Sequence, residues 1–262
     1  MISRSQACAA AFVLALPAGV FAQSTREGLP SQEHYSIRAE YLWFHPDLSG
    51  TMQKGTSDAE GSILDLNDDL ALEQANTWEI RGAIQFKPGV KLRGSYTKLD
   101  YHGESTLAEN ISYGGVRFFR NTNMVTTMKG AYYSGDLEWD FVKGPGGYFG
   151  ALAGLRMLDL DRVLVSPADG QRVADTWRVP QPVIGVTGRA YAKRLSLEGT
   201  FAGLTLGSRG SVYEFDGGGR FHFSDRLAAE AGYRTISAKP KDGLDTVEFH
   251  LSGWHFGLEL SL

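Results

Sequence analysis

The sequence contains one cysteine, Cys8, and that residue lies close to the N-terminus. A chain that loses this end has no thiol, and therefore no disulfide and no cysteine-based metal site. No segment approaches the ~20 consecutive apolar residues of a membrane-spanning helix. The formal net charge is −4, and this acidic balance disfavours binding to nucleic acid. We therefore expect no nucleic-acid partner.

The first 22 residues have the pattern of a secretory signal peptide. Arg4 supplies a positive charge, an apolar run from about Ala9 to Val20 follows, and Val20-Phe21-Ala22 forms a small-x-Ala cleavage site. The alternative is a buried N-terminal helix, which the proline and glycine within the run disfavour. We predict a signal peptide over residues 1–22, cleaved after Ala22, and a short periplasmic segment over 23–34.

Alternation of apolar and polar residues is the main structural signal in the rest of the chain. The closing segment GWHFGLELSL places Trp254, Phe256 and three leucines at every second position. A period of two indicates a β-strand whose two faces meet different environments. We count ten such strands over residues 35–262. Tight turns alternate with long connections, which lie near residues 45–77, 100–124, 159–178, 206–211 and 236–246.

Short turns on one side, long loops on the other and an even number of strands are typical of one architecture. The sequence predicts an all-β fold, a transmembrane antiparallel up-and-down β-barrel of ten strands, with 8–12 left open. The alternation also predicts which side chains face lipid. This set includes Trp78, Ile84, Leu92, Tyr133, Phe201, Phe221 and Leu258.

These features resemble the small Gram-negative outer-membrane β-barrel proteins, the group that includes eight-stranded OmpA-type barrels and ten-stranded omptin proteases. The resemblance rests on the terminal WHFGLELSL and on aromatic residues near strand ends: Trp43, Trp78, Trp139, Phe141 and Trp254. It implies a bacterial outer-membrane location and contact with outer-membrane lipid and lipopolysaccharide. It also implies that the barrel-assembly machinery recognises the last strand, Trp254 to Leu262. The final residue in that family is most often Phe or Trp, whereas here it is Leu262. We expect a monomer.

The last strand carries an irregularity. Val247, Phe249 and Leu251 are odd-numbered, whereas the apolar residues from Trp254 onwards are even-numbered. One extra residue in a strand would shift the pleat by one position, and glycine is suited to such a site. We predict a β-bulge at Gly253.

The face opposite the apolar one carries many charges. An eight-stranded barrel has an interior just filled by side chains, and ten strands lie close to that limit. We interpret the charges as pairs that fill the lumen, and a narrow water-filled pore is the alternative. The proposed network consists of Arg38, Glu40, Glu79, Arg81, Arg93, Glu138, Glu198, Arg220, Glu230, Arg234 and Glu259.

An enzymatic role would require an acid, base or nucleophile set at the outer rim of the barrel. Candidate side chains near strand tops are His45, His102, His250, Asp47, Asp58 and Asp100. No segment matches the omptin active-site pattern or the paired His and Ser of a lipid A deacylase. We expect no enzyme and no cofactor, and a structural or surface-interaction role through the long loops. A narrow solute channel and a rim hydrolase are the alternatives.

The first long loop contains the segment ILDLNDDLALEQ. Asp65, Asn67 and Asp69 match the first three ligand positions of a calcium loop, but Leu70 replaces the turn glycine and Asn76 replaces the closing glutamate. The other interpretation is a short helix capped by Asp65 or Asn67, with acids in its first turn. We favour the helix and assign no metal. The acids of this loop could instead share divalent cations with lipopolysaccharide phosphates.

Overall fold

The computed structural model describes residues 37–74, 77–207, 210–242 and 245–262, with only the backbone of Gln74 and Asp242. The predicted signal peptide, the segment 23–34 and Tyr35 lie outside these ranges. Within them, no helix has the length and apolar character needed to cross a membrane.

Strands account for most of the described chain. They are β1 (Ile37–Gln53), β2 (Ile63–Asp65), β3 (Glu73–Gln74), β4 (Trp78–Lys87), β5 (Val90–Thr106), β6 (Ile111–Tyr113), β7 (Val116–Phe118), β8 (Asn123–Gly144), β9 (Gly147–Ser166), β10 (Gln171–Ala192), β11 (Leu195–Thr205), β12 (Gly210–His222), β13 (Leu227–Asp242) and β14 (Asp245–Ser261).

Ten of these strands form a closed antiparallel barrel. Its order is β1, β4, β5, β8 and then β9 to β14, and β14 pairs with β1 to close the ring. The closing ladder runs from Arg38 opposite Ser261 to Gln53 opposite Thr246. Because the sheet closes on itself, the backbone N–H and C=O groups of the wall find hydrogen-bond partners within the sheet. Lipid cannot supply such partners. The predicted ten-stranded barrel is confirmed.

The strands are longer than the sequence predicted. The regions near 100–124 and 159–178, expected to be loops, are largely strand: β5 continues to Thr106, and β9 and β10 pair as far as Ser166 opposite Gln171. Strands β8, β9 and β10 have 20 to 22 residues. A bilayer takes only ~9–11 residues of a tilted strand, so the upper part of the barrel stands above the membrane.

The outer face of the lower half is an apolar belt. All seven predicted lipid-facing residues lie on this outer face. Aromatic rings border the belt above, where Trp78 lies 5.3 Å from Tyr96 and Tyr233 lies 5.3 Å from Trp254, measured between ring centroids. Such rings are enriched at the two membrane interfaces of transmembrane barrels. The belt therefore has the apolar surface and aromatic border that are typical of the membrane-spanning part of such barrels.

The upper half has the opposite amphipathicity. On β14, Val247, Phe249 and Leu251 are buried inside the barrel, whereas Trp254 and Phe256 are exposed on the outside. The ladder with β1 is unbroken through this point, so the predicted bulge at Gly253 is wrong. The apolar residues change parity because the apolar side of the wall changes from outside to inside.

Gly253 is explained by a close backbone contact rather than by a bulge. A Cβ at this position would lie 2.0 Å from the carbonyl oxygen of His45 on the adjacent strand. The close approach of two backbones therefore excludes a side chain there. The register shifts that do occur lie at the turn end of the barrel, between Gln85 and Lys87 and between Asp140 and Val142.

The belt gives a first test. Replacing Leu92, in the belt, by Arg should lower the free energy of unfolding by about 2 to 4 kcal/mol, because the charge meets lipid. His102→Arg is the control, since His102 lies on the outer face of the same strand but above the belt. Urea unfolding in lipid vesicles measures both. Equal losses in the two variants would contradict this placement of the membrane.

The inner face of the upper half gives a second test. Phe249 is 4% exposed, so Phe249→Ala should cost about 3 to 5 kcal/mol through lost burial and the cavity it leaves. His250→Ala, at the exposed neighbouring position, should change stability by less than about 0.5 kcal/mol. If unfolding in urea gave the reverse order, β14 would face the other way.

Candidate functional site

The lower half of the barrel interior is a layer of opposite charges. The eleven residues predicted as a lumen network all lie in it, and each forms an ion pair with another described side chain. The layer also contains Lys91, Asp136, Asp140, Arg156, Arg189, Glu214 and Asp216.

Arg220 on β12 is the centre of one part of this layer. Its guanidinium nitrogens lie 2.7 Å from Glu198, 2.8 Å from Glu230, 2.9 Å from Glu259 and 3.3 Å from Glu40. These carboxylates come from four other strands. A buried charge without a partner costs several kcal/mol, so this set of partners makes the buried guanidinium tolerable.

Glu198 on β11 connects Arg220 to the rest of the layer. It also accepts hydrogen bonds from Arg189 and, at 3.3 Å, from Arg93. Arg93 in turn donates to Glu138 at 2.8 Å. One continuous chain of ion pairs therefore crosses the lumen from β12 to β8.

A second part of the layer surrounds Arg81 on β4. Its guanidinium donates to Glu79 at 2.7 Å and to Asp216 at 2.5 Å. His255, fully buried on β14, lies with its Nε2 3.1 Å from Asp216. Arg234 donates to Glu79 as well, so this part also spans several strands.

The charged layer encloses a cavity of about 50 Å³. Its lining includes Arg38, Glu79, Arg81, Asp216 and Glu230. A water molecule needs roughly 10–15 Å³ measured in this way, so the cavity accommodates only a few waters. The lower lumen is a charged compartment with room for only a few waters.

An apolar core fills the barrel above the charged layer. Leu48 and Met52 from β1, Leu160 from β9 and Phe249 from β14 are all buried in it. Tyr101 on β5 belongs to the same core, and burial raises the pKa of its phenol well above the usual value. The phenol is therefore neutral throughout the physiological pH range.

Two segments at the upper end of the barrel, residues 54–72 and 107–122, close this core from above. We call them together the plug. Ser62 N donates to Ser112 O at 2.7 Å, and Gly114 N donates to Lys54 O at 3.0 Å, which joins the two segments. Their buried apolar side chains are Leu64, Leu66, Leu70, Leu72, Leu107, Ile111, Tyr113 and Phe118.

The acidic part of the plug is a capped turn. Asp65 Oδ1 accepts hydrogen bonds from the backbone N–H of Asn67 at 2.8 Å and of Asp68 at 2.9 Å, as an N-cap does. The predicted helix is instead a single turn over residues 66–70. The helix prediction failed because the leucines before and after the acids point into the barrel mouth with strand-like rather than helical spacing.

In the described part of the chain, the residues that match a calcium loop are not arranged to bind a metal ion. Asp65 caps the turn, and Asp69 Oδ2 accepts from Asp65 N at 2.8 Å. Asn67 is exposed, and Asn76 lies outside the described residues. Among the described side chains no group of three or more His, Asp or Glu residues is placed to hold a metal ion.

The candidate rim histidines lie on the outer surface. His45 and His250 are on neighbouring strands, but His45 is opposite Trp254 and His250 is opposite Ser49. Four residues along a strand separate them by ~13 Å. His102 Nε2 lies 3.7 Å from an exposed Glu104 carboxylate. The structure therefore does not bring these histidines together.

The aspartates proposed to act with them are also separate. Asp47 pairs in register with Ser252, and Asp100 lies 3.4 Å from Lys98 Nζ. Asp58 is exposed in the plug. None of the three forms a hydrogen bond or ion pair with a candidate histidine among the described contacts.

No family model and no curated protein matches the sequence. The outer-membrane protease OmpT of Escherichia coli has a similar structure, with a TM-score of 0.62 and 13% identity over 90% of this chain and 99% of that one. The fold is that of a small Gram-negative outer-membrane β-barrel. The translocator domain of the Neisseria meningitidis autotransporter NalP gives a TM-score of 0.41 at 10% identity, covering 98% of both chains.

Some interior residues of this outer-membrane barrel were missing from the sequence prediction. Asp216 and His255 occupy lumen-facing positions in the alternation of their strands, but nothing in the local sequence indicates that they contact each other. Arg162, Asp175 and Lys54 form an ion-pair cluster in the upper half. The sequence placed all three in loops, because the outer face of the wall is polar at that height.

The charged layer predicts a strong effect of removing one carboxylate. Glu198→Gln leaves Arg189 and Arg220 with fewer buried counter-charges, so the free energy of unfolding should fall by about 3 to 5 kcal/mol. Glu248→Gln is the control, because Glu248 forms an exposed pair with Lys239 at 2.6 Å, worth at most about 1 kcal/mol. A Glu198→Gln barrel as stable as the control in urea would show that the layer does not stabilise the fold.

Proposed function

We propose that this protein is a non-enzymatic outer-membrane barrel, closed to ions at rest, that has a structural or interaction role at the cell surface. One observation carries the proposal: the described interior is filled along its height, apart from a cavity of about 50 Å³ in the lower half. Paired charges occupy the lower half, and the apolar core beneath the plug occupies the upper half. A barrel filled in this way has its accessible chemistry on the outside and at its extracellular end.

The upper barrel supports a surface role. It extends above the aromatic border, its outer face is polar, and its end is covered by the plug rather than open. The plug exposes charges of both signs, including Asp58, Glu60, Arg117 and Arg120. Loops on a rigid scaffold are where binding chemistry usually lies. We propose that partners meet this end of the molecule.

The wall just above the belt supports contact with lipopolysaccharide. Lys98, Lys129 and Arg178 lie on its outer face, beside Asp159 and other carboxylates. Cationic side chains at this height suit the phosphates of the outer leaflet, and neighbouring carboxylates suit the divalent cations between those phosphates. The proposal further includes export by a cleaved signal peptide, insertion through the C-terminal strand Trp254 to Leu262, and a monomeric state.

A narrow channel is the second candidate, because the lower lumen contains the 50 Å³ cavity. Ions passing through it would have to cross the apolar core and displace the plug. An apolar constriction blocks ions by excluding water. The filled-interior proposal and the channel proposal therefore predict different ion conductances.

Planar bilayers provide that measurement. The purified barrel should give no steady conductance at moderate voltage, because ions cannot enter the apolar core. A trimeric porin reconstituted in the same bilayers is the positive control. Stable openings of porin size would overturn the proposal, and small regular openings would favour the narrow channel.

A further inference from the structure

We propose that the plug is a lid held in place by its buried apolar side chains and, in addition, by an ion-pair latch whose movable part is Lys54. The inference is independent of the surface role above, since a lid can serve a binding protein or a channel. It concerns the way in which the extracellular end of the barrel is kept closed.

Lys54 extends from the end of β1 across the barrel mouth. Its Nζ lies 3.3 Å from Asp175 Oδ2 on β10 and 3.3 Å from Asp245 Oδ2 on β14. The next residue adds a backbone bond, since Gly55 N donates to Asp245 Oδ1 at 3.0 Å. Strand β14 is the neighbour of β1 in the closing ladder, whereas β10 lies four strands from β14, so the contact with Asp175 is the one that crosses the barrel mouth.

The wall has its own partner for the more buried carboxylate. Asp175 also pairs with Arg162 on the adjacent strand, and the Arg162 guanidinium lies over the rings of Trp177 at 5.3 Å and Tyr113 at 5.9 Å. When Lys54 leaves, Arg162 and Asp175 still neutralise each other. The side chains of Lys54 and Asp245 are 26% and 25% exposed, so water reaches both. Opening therefore leaves no buried charge without a partner, which is the costly outcome for an ion pair.

The remaining polar attachments of the first plug segment are to neighbouring strands and to the second plug segment: Leu66 N donates to Gly50 O at 2.9 Å, Gln53 Nε2 donates to Gly61 O at 3.0 Å, and Ser62 N donates to Ser112 O at 2.7 Å. Its strand β2 pairs with β1 over three residues, from Thr51 opposite Asp65 to Gln53 opposite Ile63. On its other side, Ser105 Oγ donates to Asp69 O. The buried leucines add apolar contacts, which have no directional requirement. The Lys54–Asp175 ion pair thus supplies a polar attachment between this segment and β10, a distant strand.

The wall beneath the plug can accommodate its movement. Strand β4 pairs with β1 only as far as Trp43 opposite Trp78, so the plug occupies a place where one wall strand has no upper half. Met52 and Met128 line, together with Leu66, a cavity of about 10 Å³, roughly the space of one water. Methionine side chains adapt to changes in their surroundings.

Because the Lys54 ion pairs are partly exposed to water, they should weaken as the salt concentration rises. The screening length falls from about 10 Å at 0.1 M salt to about 3 Å at 1 M, and partly exposed pairs weaken accordingly. The open fraction should therefore rise with ionic strength. This response separates a latch from a plug that only apolar contacts retain, because salt does not weaken apolar contacts.

The experiment uses a cysteine placed under the lid. Met128→Cys in a Cys8→Ser background reacts with a water-soluble maleimide only when the plug opens, because position 128 is buried. In lipid vesicles at 0.1 M salt, adding Lys54→Gln should raise the labelling rate about fivefold. Raising the salt to 1 M should raise the rate in the parent and leave the Lys54→Gln rate nearly unchanged.

Lys239→Gln is the matched control. Lys239 also forms a lysine–carboxylate pair on the upper barrel, with Glu248 at 2.6 Å, but this pair joins two wall strands and does not touch the plug. Its labelling rate should equal that of the parent. Heat-modifiable gel mobility shows whether each variant is folded.

Hydrogen exchange provides a second measurement that needs no cysteine. In Lys54→Gln, the amides of Leu66, Leu70 and Leu72 should exchange about fivefold faster, and those of β11 and β12 should be unchanged. Equal rates for Lys54→Gln and Lys239→Gln, or rates independent of salt, would overturn the latch. Faster exchange throughout the barrel would also overturn it, since that result indicates a general loss of stability.

Discussion

The ion pairs around Arg220 and Glu198 are the interaction on which the rest of the structure depends. A wall that shows apolar side chains to lipid must place its polar side chains in the lumen, where a charge without a partner is costly. Here the carboxylates and guanidinium groups of different strands neutralise one another across the lumen. This layer allows the barrel to be narrow and filled, and it makes the lower half a single electrostatic unit.

The upper half obeys the opposite rule with the same strands. Above the aromatic border the outside meets water, so the polar residues lie outside and the apolar residues lie inside, as in a soluble β-barrel. The change occurs on β14 between Leu251 and Trp254 without any break in the ladder. An apolar interior that opens to water would be unstable, and the leucines of the plug are what cover it. The plug is therefore part of the core of the upper barrel.

Sequence reasoning predicted the features that depend on local alternation. It gave the strands, the closure of the barrel, the lipid-facing residues and the inward direction of the charges. It failed where alternation of apolar and polar residues has two possible causes, because the apolar side chains can face either lipid or the barrel interior. The parity change near Gly253 was interpreted as a bulge because lipid was assumed to cover the whole strand. The extensions of β5, β9 and β10 were interpreted as loops for the same reason. The cluster of Lys54, Arg162 and Asp175 could not be found, because Lys54 lies in the plug, more than 100 residues before Arg162 on β9 and Asp175 on β10.

The reversal of amphipathicity also determines how strictly each strand is aligned with its neighbours. Sliding β14 by one residue along β1 would turn Phe249 and Leu251 out into water and, at the same time, turn Trp254 and Phe256 into the charged lumen. In an ordinary transmembrane strand only one of these errors arises. Here a single misalignment is penalised above and below the membrane surface together. Each half therefore disfavours the same shift of register, and a strand paired out of register would be destabilised in both.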